Sequence, residues 1–351
     1  MLHVAVSGAW LGVHSGANRR LLGVLDALRT LLQEGEHVTV LHGRGYTPPW
    51  RHQRVDWHAL DLPPQPATPA RVWHEWRRLP RLLRRLDVDL LDHAMLPLPR
   101  TGVPTVLTVH DTRDADGHSN RPQWLASMLL RSAVRRATAV VAVSEFTAAR
   151  IRAHAPRARP VVVANAPSLP VLPRAAERDL VLHVGHLEPR KNLSLLLDAF
   201  SRLERERRRQ LRIVLAGADA GSRASLVSRA AALGILDRVE FAGVVAEEAL
   251  PELYARAAMV CVPSHHEGSG LCALEGLAAG APVLVSANSG MAELGRHGAV
   301  LLPPDDSAAW AVAMRDAVEP SGPHPATGWD AAARDLLAVW RSAHRVHRDP
   351  G

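Results

Sequence analysis

The sequence contains a single lysine. Arginine supplies all the other basic side chains among the 42 it carries, and Lys191 stands alone. A bias that strong follows genome composition wherever any cation will serve. Lys191 is then either a chance survivor or a position where a compact ammonium works better than a planar guanidinium fork. Cysteine is nearly absent too. Cys261 and Cys272 are too few for a disulfide scaffold or a zinc site of their own, and they fit small apolar packing groups in a reducing cytoplasm. No apolar run reaches the roughly 18–20 residues that a membrane helix needs. The N-terminus enters the strand-like HVAVSG without a basic segment and an apolar core, so a secretory signal is not expected.

What remains is ordinary globular material. The chain has 351 residues, 47% of them hydrophobic and 22% charged, which fits about two domains with sizeable cores. Its formal charge of +7 suits an anionic ligand, an anionic membrane face or nucleic acid.

The pattern alternates strand and helix. Strands are expected at 2–7, 37–42, 90–93, 104–110, 139–144 and 161–164. Helices are expected at 18–34, 71–86, 123–136 and 146–154, with a Pro-rich loop running through residue 69. APSLPVLPRAAERD then reads as a linker, and the pattern restarts. Strands follow at 180–185, 211–217, 239–243, 259–263, 282–286 and 298–302, and helices at 194–206, 225–233, 251–257, 308–318 and 329–347. Alternation of this kind predicts parallel sheets built from right-handed crossovers. Two such units place a ligand cleft between them, at the C-terminal ends of their strands.

The richest stretch is CVPSHHEGSGLCALE. Glu267 sits in a Gly/Ser-rich turn, and Glu275 lies in the apolar helix that leaves it. A helix N-terminus offers backbone N–H groups and the positive end of a dipole to an anion. Gly268 and Gly270 let the backbone approach a ligand, and a carboxylate on either side can accept from sugar hydroxyls. Upstream, VGHLEPRKNL brings a guanidinium and an ammonium together at Arg190 and Lys191. That pair suits a diphosphate that must be bound and must leave as an anion.

These motifs, in this order, carry a resemblance. VGHLEPRKNLSLLLDAF, LRIVLAGAD, ALGILDRVEFAGVV, LPELYARAAMVCVPSHHEGSGLCALEGLAAGAPVLVS and SGMAEL cover roughly residues 180–305. They resemble the retaining glycosyltransferases of family 4, which have the GT-B fold. The first half is similar more loosely, through SGAWLGVHSGANRR, VHDTR and VAVSEFTAARI. The resemblance implies an α/β chain of two Rossmann-like, doubly wound parallel-sheet domains facing a cleft. Residues 1–168 would bind the acceptor, residues 169–328 the nucleotide-sugar donor, and the helix at 329–347 would cross back to the first domain. Arg190 and Lys191 would bind the donor diphosphate. The amides of Ser269, Gly270 and Leu271 would hold phosphates or sugar hydroxyls. Glu267 would face the donor sugar and Glu275 the ribose. Gly16 would approach the diphosphate from the other domain, His110 would sit near the transferred sugar, and the loop at Val244 and Val245 would border the base.

The sequence departs from the family pattern inside this stretch. An aromatic residue is usual where Ser269 stands, proline is frequent where Cys272 stands, and alanine where Gly276 stands. The usual Asn-Gly-Val-Asp is reduced to Asn165-Ala166-Pro167. These changes leave the charged groups intact and bear on the fit of the sugar pocket.

Other signals point elsewhere and are weaker. Asp87-Val88-Asp89 spells the Asp-x-Asp of metal-dependent transferases of the other fold, but between a basic helix and a short strand it reads as a connection. Glycines at 8, 12 and 16 do not make G-x-G-x-x-G, and no acid ends the second strand, so a dinucleotide fingerprint is absent. A phosphorylase of the GT-B fold needs a lysine for pyridoxal phosphate, and Lys191 falls in the diphosphate motif instead. His14, His93, His265 and His266 match no common metal spacing and read as loop or pocket residues, so no metal site is expected. The segment at 71–86 sets Trp73, Trp76, Leu79, Leu83 and Leu86 on one face and six arginines elsewhere. Such a helix most often packs its aromatic face on its own sheet; the alternative lays it on an anionic membrane.

The expectation is therefore a cytoplasmic, metal-independent retaining transferase, peripheral at the inner membrane face if residues 71–86 touch lipid. It needs no cofactor beyond a nucleoside-diphosphate sugar of UDP or GDP type as co-substrate. The acceptor would be a natural product or a cell-envelope glycan or glycolipid, and nucleic acid is not an expected partner. Alternatives are a nucleotide-sugar hydrolase or epimerase of the same fold, or a basic binding protein without catalysis.

Overall fold

The computed structural model describes residues 1–12, 15–63, 68–119, 121–175, 178–317 and 328–348; His14 lies outside them. The chain forms two compact units. One comprises residues 1–165 together with 328–351, and the other residues 166–327.

The first unit holds a seven-stranded sheet: β1 (Leu2–Gly8), β2 (Glu36–His42), β3 (Val55–Ala59), β4 (Leu90–His93), β5 (Thr105–Val109), β6 (Ala139–Ala142) and β7 (Val161–Val162), in the order β3-β2-β1-β4-β5-β6-β7. Every pairing in it is parallel. The second holds a six-stranded sheet: β8 (Leu180–Val184), β9 (Arg212–Ala216), β10 (Val239–Gly243), β11 (Ala257–Val262), β12 (Val283–Ser286) and β13 (Val300–Leu302), in the order β10-β9-β8-β11-β12-β13. Its pairings are also parallel. The central strands read as near-continuous Val, Leu and Ile runs because helices cover both faces. In each sheet the order reverses beside the first strand, between β1 and β4 and between β8 and β11. Those two reversals are the topological switch points, where such sheets open a crevice at the strand ends.

The terminal helix Asp330–Arg348 belongs to the first unit and packs on the helix Gly16–Leu31. Trp329, just before it, lies over Gly23, where an added Cβ would come within 2.2 Å of the indole. Trp340 is buried and donates from Nε1 to Asp92 on β4 at 2.7 Å.

Several expectations need correction. The loop expected to run through residue 69 contains β3, whose residues pair with β2 at the sheet edge. The helix expected at 71–86 is two, Thr68–Arg77 and Leu79–Arg85. Pro80 lacks the N–H and crowds the preceding turn, so the first helix ends before it. The break also turns the faces. Leu79 and Leu83 enter the core, but Trp73 and Trp76 are 55% and 48% exposed and do not pack on the sheet. The inward face of the first helix is polar: Arg71 is buried, pairs with Glu75 at 2.6 Å and donates to the Leu96 carbonyl at 2.7 Å. His93, read as a loop or pocket histidine, is a fully buried strand residue. The helix expected at 194–206 divides into Leu193–Ser201 and Arg205–Gln210. Asp87 does serve as a helix–strand connection, at φ 52°, and Asp89 accepts from the His3 amide at 2.8 Å. The Pro-rich linker is docked on the second unit, where Arg174 donates to the carbonyls of Tyr254 and Ala257 at 2.8 and 2.7 Å.

Burial raises the Asp92 carboxyl to about 6, against the opposing pull of Trp340, Arg20 and Thr108. Its folded value lies above the unfolded one, so its ionisation costs stability as pH rises from about 4 through 6. Trp340→Phe removes a donor that favours the ionised form. The expected loss is about 1–3 kcal/mol at pH 8 and smaller at pH 5, where the folded protein already holds the proton. Urea titrations at both pH values measure it, and equal losses would rule out Asp92 as the group concerned.

Candidate functional site

The cluster with the most chemistry lies at the switch point of the second sheet. β8 runs out at Gly185, and a 3₁₀ turn, Pro189–Lys191, follows. β11 runs out into the turn that carries Glu267. Because β8 and β11 are neighbours, residues 76 apart in sequence meet. Lys191 Nζ donates to Glu267 Oε1 at 2.5 Å, and Arg190 Nη1 lies 3.2 Å from the same oxygen. Arg190 also donates to the His266 carbonyl at 2.7 Å and pairs with Glu188 at 2.7 Å. Ser264 Oγ donates to Glu267 at 3.0 Å.

Two anions and two cations thus share a partly enclosed corner. Burial alone would raise the Glu267 carboxyl, but the charges of Lys191 and Arg190 outweigh it and hold the group at about 2. Its pairing therefore contributes stability above the ordinary carboxylate range, lost as pH falls toward 2. Beneath the cluster, His183 is fully buried and bonds through Nδ1 to the Cys261 carbonyl at 2.9 Å. Burial and then the Lys191 charge lower its pKa to about 4, so the imidazole is neutral at pH 7.

The helix Leu271–Ala278 starts beside this corner. Gly270 is its N-cap at φ 67°, a left-handed conformation that glycine adopts without a Cβ penalty, and no side chain caps the terminus. Ser269, Gly270 and Leu271 therefore form the turn into a helix N-terminus, next to Glu267. Gly276 allows close packing: a Cβ there would meet Val260 at 2.9 Å and Val283 at 3.0 Å. Gly290 does the same for the turn, since a Cβ would fall 2.0 Å from the Gly268 carbonyl oxygen.

Glu275 is placed differently. It is buried, with Oε1 accepting from the Ser168 amide at 3.0 Å and Oε2 from the Leu169 amide at 3.2 Å. It ties the start of the docked linker to the helix. Val245 follows β10 and is half-buried against the core. Gly16 and His110 belong to the first unit: Gly16 opens the helix Gly16–Leu31, and His110 follows β5. Burial, and then Arg20, lower the His110 pKa to about 3, so it too is neutral at pH 7.

The structure thus brings Arg190, Lys191, Glu267 and the turn at 269–271 together. It adds His183, Ser264 and Glu188, which sequence reasoning missed. His183 sits inside an apolar strand run where no spacing marks it. Ser264 and Glu188 lie beside motif residues and become visible only once the strands are paired. Among the described residues no group of three His, Cys, Asp or Glu side chains is placed to hold a metal ion, and no helix is long and apolar enough to cross a membrane.

Comparison with known proteins supports this architecture. The profile of the family described as "Glycosyl transferases group 1" matches residues 168–334, and that of "Glycosyltransferase Family 4" matches residues 16–168. The D-inositol 3-phosphate glycosyltransferase of Thermobispora bispora is 31% identical over 291 residues, covering 71% of this chain and 68% of that protein. With other curated relatives of that name, the match spans under half of their own length. Among solved structures, sucrose-phosphate synthase from Thermosynechococcus elongatus superposes with a TM-score of 0.71 at 19% identity, over 99% of this chain and 98% of that one. Anabaena Alr3699/HepE in complex with UDP-glucose gives 0.68 at 19% identity, over 98% and 96%. At such identities the likeness shows the fold.

Glu275→Ala would leave the Ser168 and Leu169 amides without their acceptor. The expected cost is about 2–4 kcal/mol in urea unfolding, with faster tryptic cleavage after Arg174 in the docked linker. Unchanged stability and cleavage would show that the linker is held by other contacts.

Proposed function

We propose, for a chain that belongs to the glycosyltransferases of family 4, that it moves a sugar from a nucleoside-diphosphate sugar to an acceptor hydroxyl with retention at the anomeric carbon. The observation that carries this reading is the convergence of Arg190, Lys191 and Glu267 on one corner beside a helix N-terminus. A diphosphate entering there meets a guanidinium, an ammonium and a helix dipole. Glu267 is released from Lys191 and turned toward sugar hydroxyls. In the transition state the sugar resembles an oxocarbenium ion and negative charge grows on the leaving phosphate. Lys191 and Arg190 act on that charge electrostatically, so the reaction is proposed to need no metal. Neutral His183 beneath Lys191 adds no competing positive charge.

UDP is the preferred donor nucleotide in this reading, since a structure of the same fold holds UDP-glucose. Glu275 is the candidate for the ribose, and would share or give up its bonds to Ser168 and Leu169 on binding. The acceptor is proposed to be a natural product or a cell-envelope glycan or glycolipid; the relatives are named for an inositol phosphate. A cytoplasmic location follows from where nucleotide sugars are made, and suits the free thiols of Cys261 and Cys272.

Peripheral membrane contact is part of the proposal. Trp73 and Trp76 face outward, with Arg78 and Arg100 over their rings at 5.5 and 6.0 Å. Indole rings beside guanidinium groups match an anionic lipid surface. In co-sedimentation, the protein is expected on vesicles containing phosphatidylglycerol and not on phosphatidylcholine alone, with Trp73→Ser/Trp76→Ser weakening the binding. No binding to either vesicle would sink the contact.

The reaction itself is tested with nucleotide sugars and an acceptor panel. Release of nucleoside diphosphate only in the presence of acceptor supports transfer; release without acceptor supports hydrolysis, and binding without turnover a non-catalytic protein. Lys191→Ala and Glu267→Ala are each expected to lower turnover by about 10²–10³ with the fold retained by circular dichroism. Near-normal turnover in either would remove that residue from the site.

A further inference from the structure

The first sheet has a switch point of its own, and a cavity of about 240 Å³ opens there. The end of β1, from Val6 to Trp10, forms one wall, and Asp92, Ala94 and Met95, from the end of β4 onward, form the next. The helix Gly16–Leu31 and the terminal helix close it, chiefly with Leu21, Val24, Leu25, Leu336 and Trp340. Most of this surface is aliphatic or aromatic.

The few polar groups are arranged in an unusual way. Arg20 is 3% exposed. Its Nη1 donates to the Val163 carbonyl at 3.1 Å and to Asn165 Oδ1 at 2.7 Å, while Nη2 has no partner among the described residues. Trp10 Nε1 is likewise buried without a partner. An unmade bond at a buried donor costs roughly 1–3 kcal/mol, so two such donors among the residues lining the cavity mark a place for an acceptor atom. Asp92 faces the same space, holding one bond from Trp340 at 2.7 Å and one from Thr108 at 3.3 Å. Its charge offsets that of Arg20, so the cavity as a whole is close to neutral. His110, also neutral, completes this polar end.

A hydroxyl is the group that matches such a lining, because it can accept from a donor such as Arg20 or Trp10 and donate to Asp92 at the same time. A phosphate dianion does not match it, since Asp92 opposes a second negative charge. A polyol does not match it either, since the remaining walls offer its other hydroxyls little to bond. As to size, an engineered apolar cavity of about 150 Å³ holds one benzene ring, so this one has room for about two fused rings.

We propose that this cavity binds a compact, uncharged, mostly apolar alcohol or phenol, held by its hydroxyl between Arg20, Trp10 and Asp92. Naming that ligand as the sugar acceptor rests on the transferase reading above; the binding site itself does not. The acceptor class is then a hydrophobic aglycone. Arg20 is the residue that selects for the hydroxyl.

The probe is 1-naphthol, titrated calorimetrically against the full chain, with naphthalene and 1-naphthyl phosphate as comparators. UDP is titrated into the same preparations. We expect 1-naphthol to bind at least about tenfold more tightly than either comparator, a gap equivalent to about 1.4 kcal/mol. Arg20→Met should remove that preference for the hydroxyl while UDP affinity stays unchanged. Ala17→Leu, which fills the cavity and leaves Arg20 in the chain, should abolish naphthol binding, and it decides the matter if Arg20→Met does not fold. The proposal is overturned if UDP binds and 1-naphthol does not, if 1-naphthyl phosphate binds most tightly, or if both folded variants bind naphthol like the parent chain. Naphthol binding with these variant effects but without UDP binding would uphold the cavity and sink the donor reading instead.

Discussion

In each sheet of this protein the strand order reverses beside the strand that was laid down first. A right-handed crossover carries the chain to one side of β1 or β8, and a later crossover must begin again on the other side. The connecting loops leave in opposite directions at that point and cannot cover it. Two polar clusters, Arg190–Lys191–Glu267 and Arg20–Asp92, sit at the two gaps that result. Lys191 leaves β8 and Glu267 leaves β11, so their ion pair is a product of strand order. Arg20, Asp92 and Trp10 gather for the same reason between β1 and β4. Apolar strands build the floor, and the charged residues stand where the floor ends.

The two gaps are chemically unlike. The second sheet's corner is charged, with its carboxylate held ionised by two cations and its histidine kept neutral by burial. The first sheet's is an apolar cavity with one cation balanced by one carboxylate. A fold shared with enzymes of different substrates does not dictate this division. It comes from side chains such as Leu21, Val24 and Leu336 at one gap and from Arg190, Lys191 and Glu188 at the other.

Much of the second unit could be read from the sequence, because its signals are local. The strand that ends in Gly185, the Arg190-Lys191 pair and the Glu267 turn each announce themselves within about ten residues. The parallel architecture followed from alternation alone. What escaped was set by contacts between distant segments. β3 is a short edge strand whose Val55 and Trp57 were overshadowed by the prolines around them. The helix at 71–86 looked amphipathic as one piece, and Pro80 broke it, so the tryptophans turned outward and a polar face with Arg71 and Glu75 turned in. His183 and Asp92 owe their character to burial, which spacing does not reveal. Arg20 looked like one of many arginines, and only its neighbours set it apart.

The helix that closes the first unit is the last part of it to be made. Residues 1–165 leave the ribosome first, yet Leu336 and Trp340, which wall the apolar cavity, and with Trp340 the donor to Asp92, emerge only after the whole of the second unit. Until then β1 and β4 expose apolar surface and a buried-type carboxylate lacks its indole donor. Domains usually fold in order of synthesis, but here the first can complete itself only after the second. The second unit can therefore be whole before the first has a pocket, and a nascent chain passes through a stage in which only the charged corner exists.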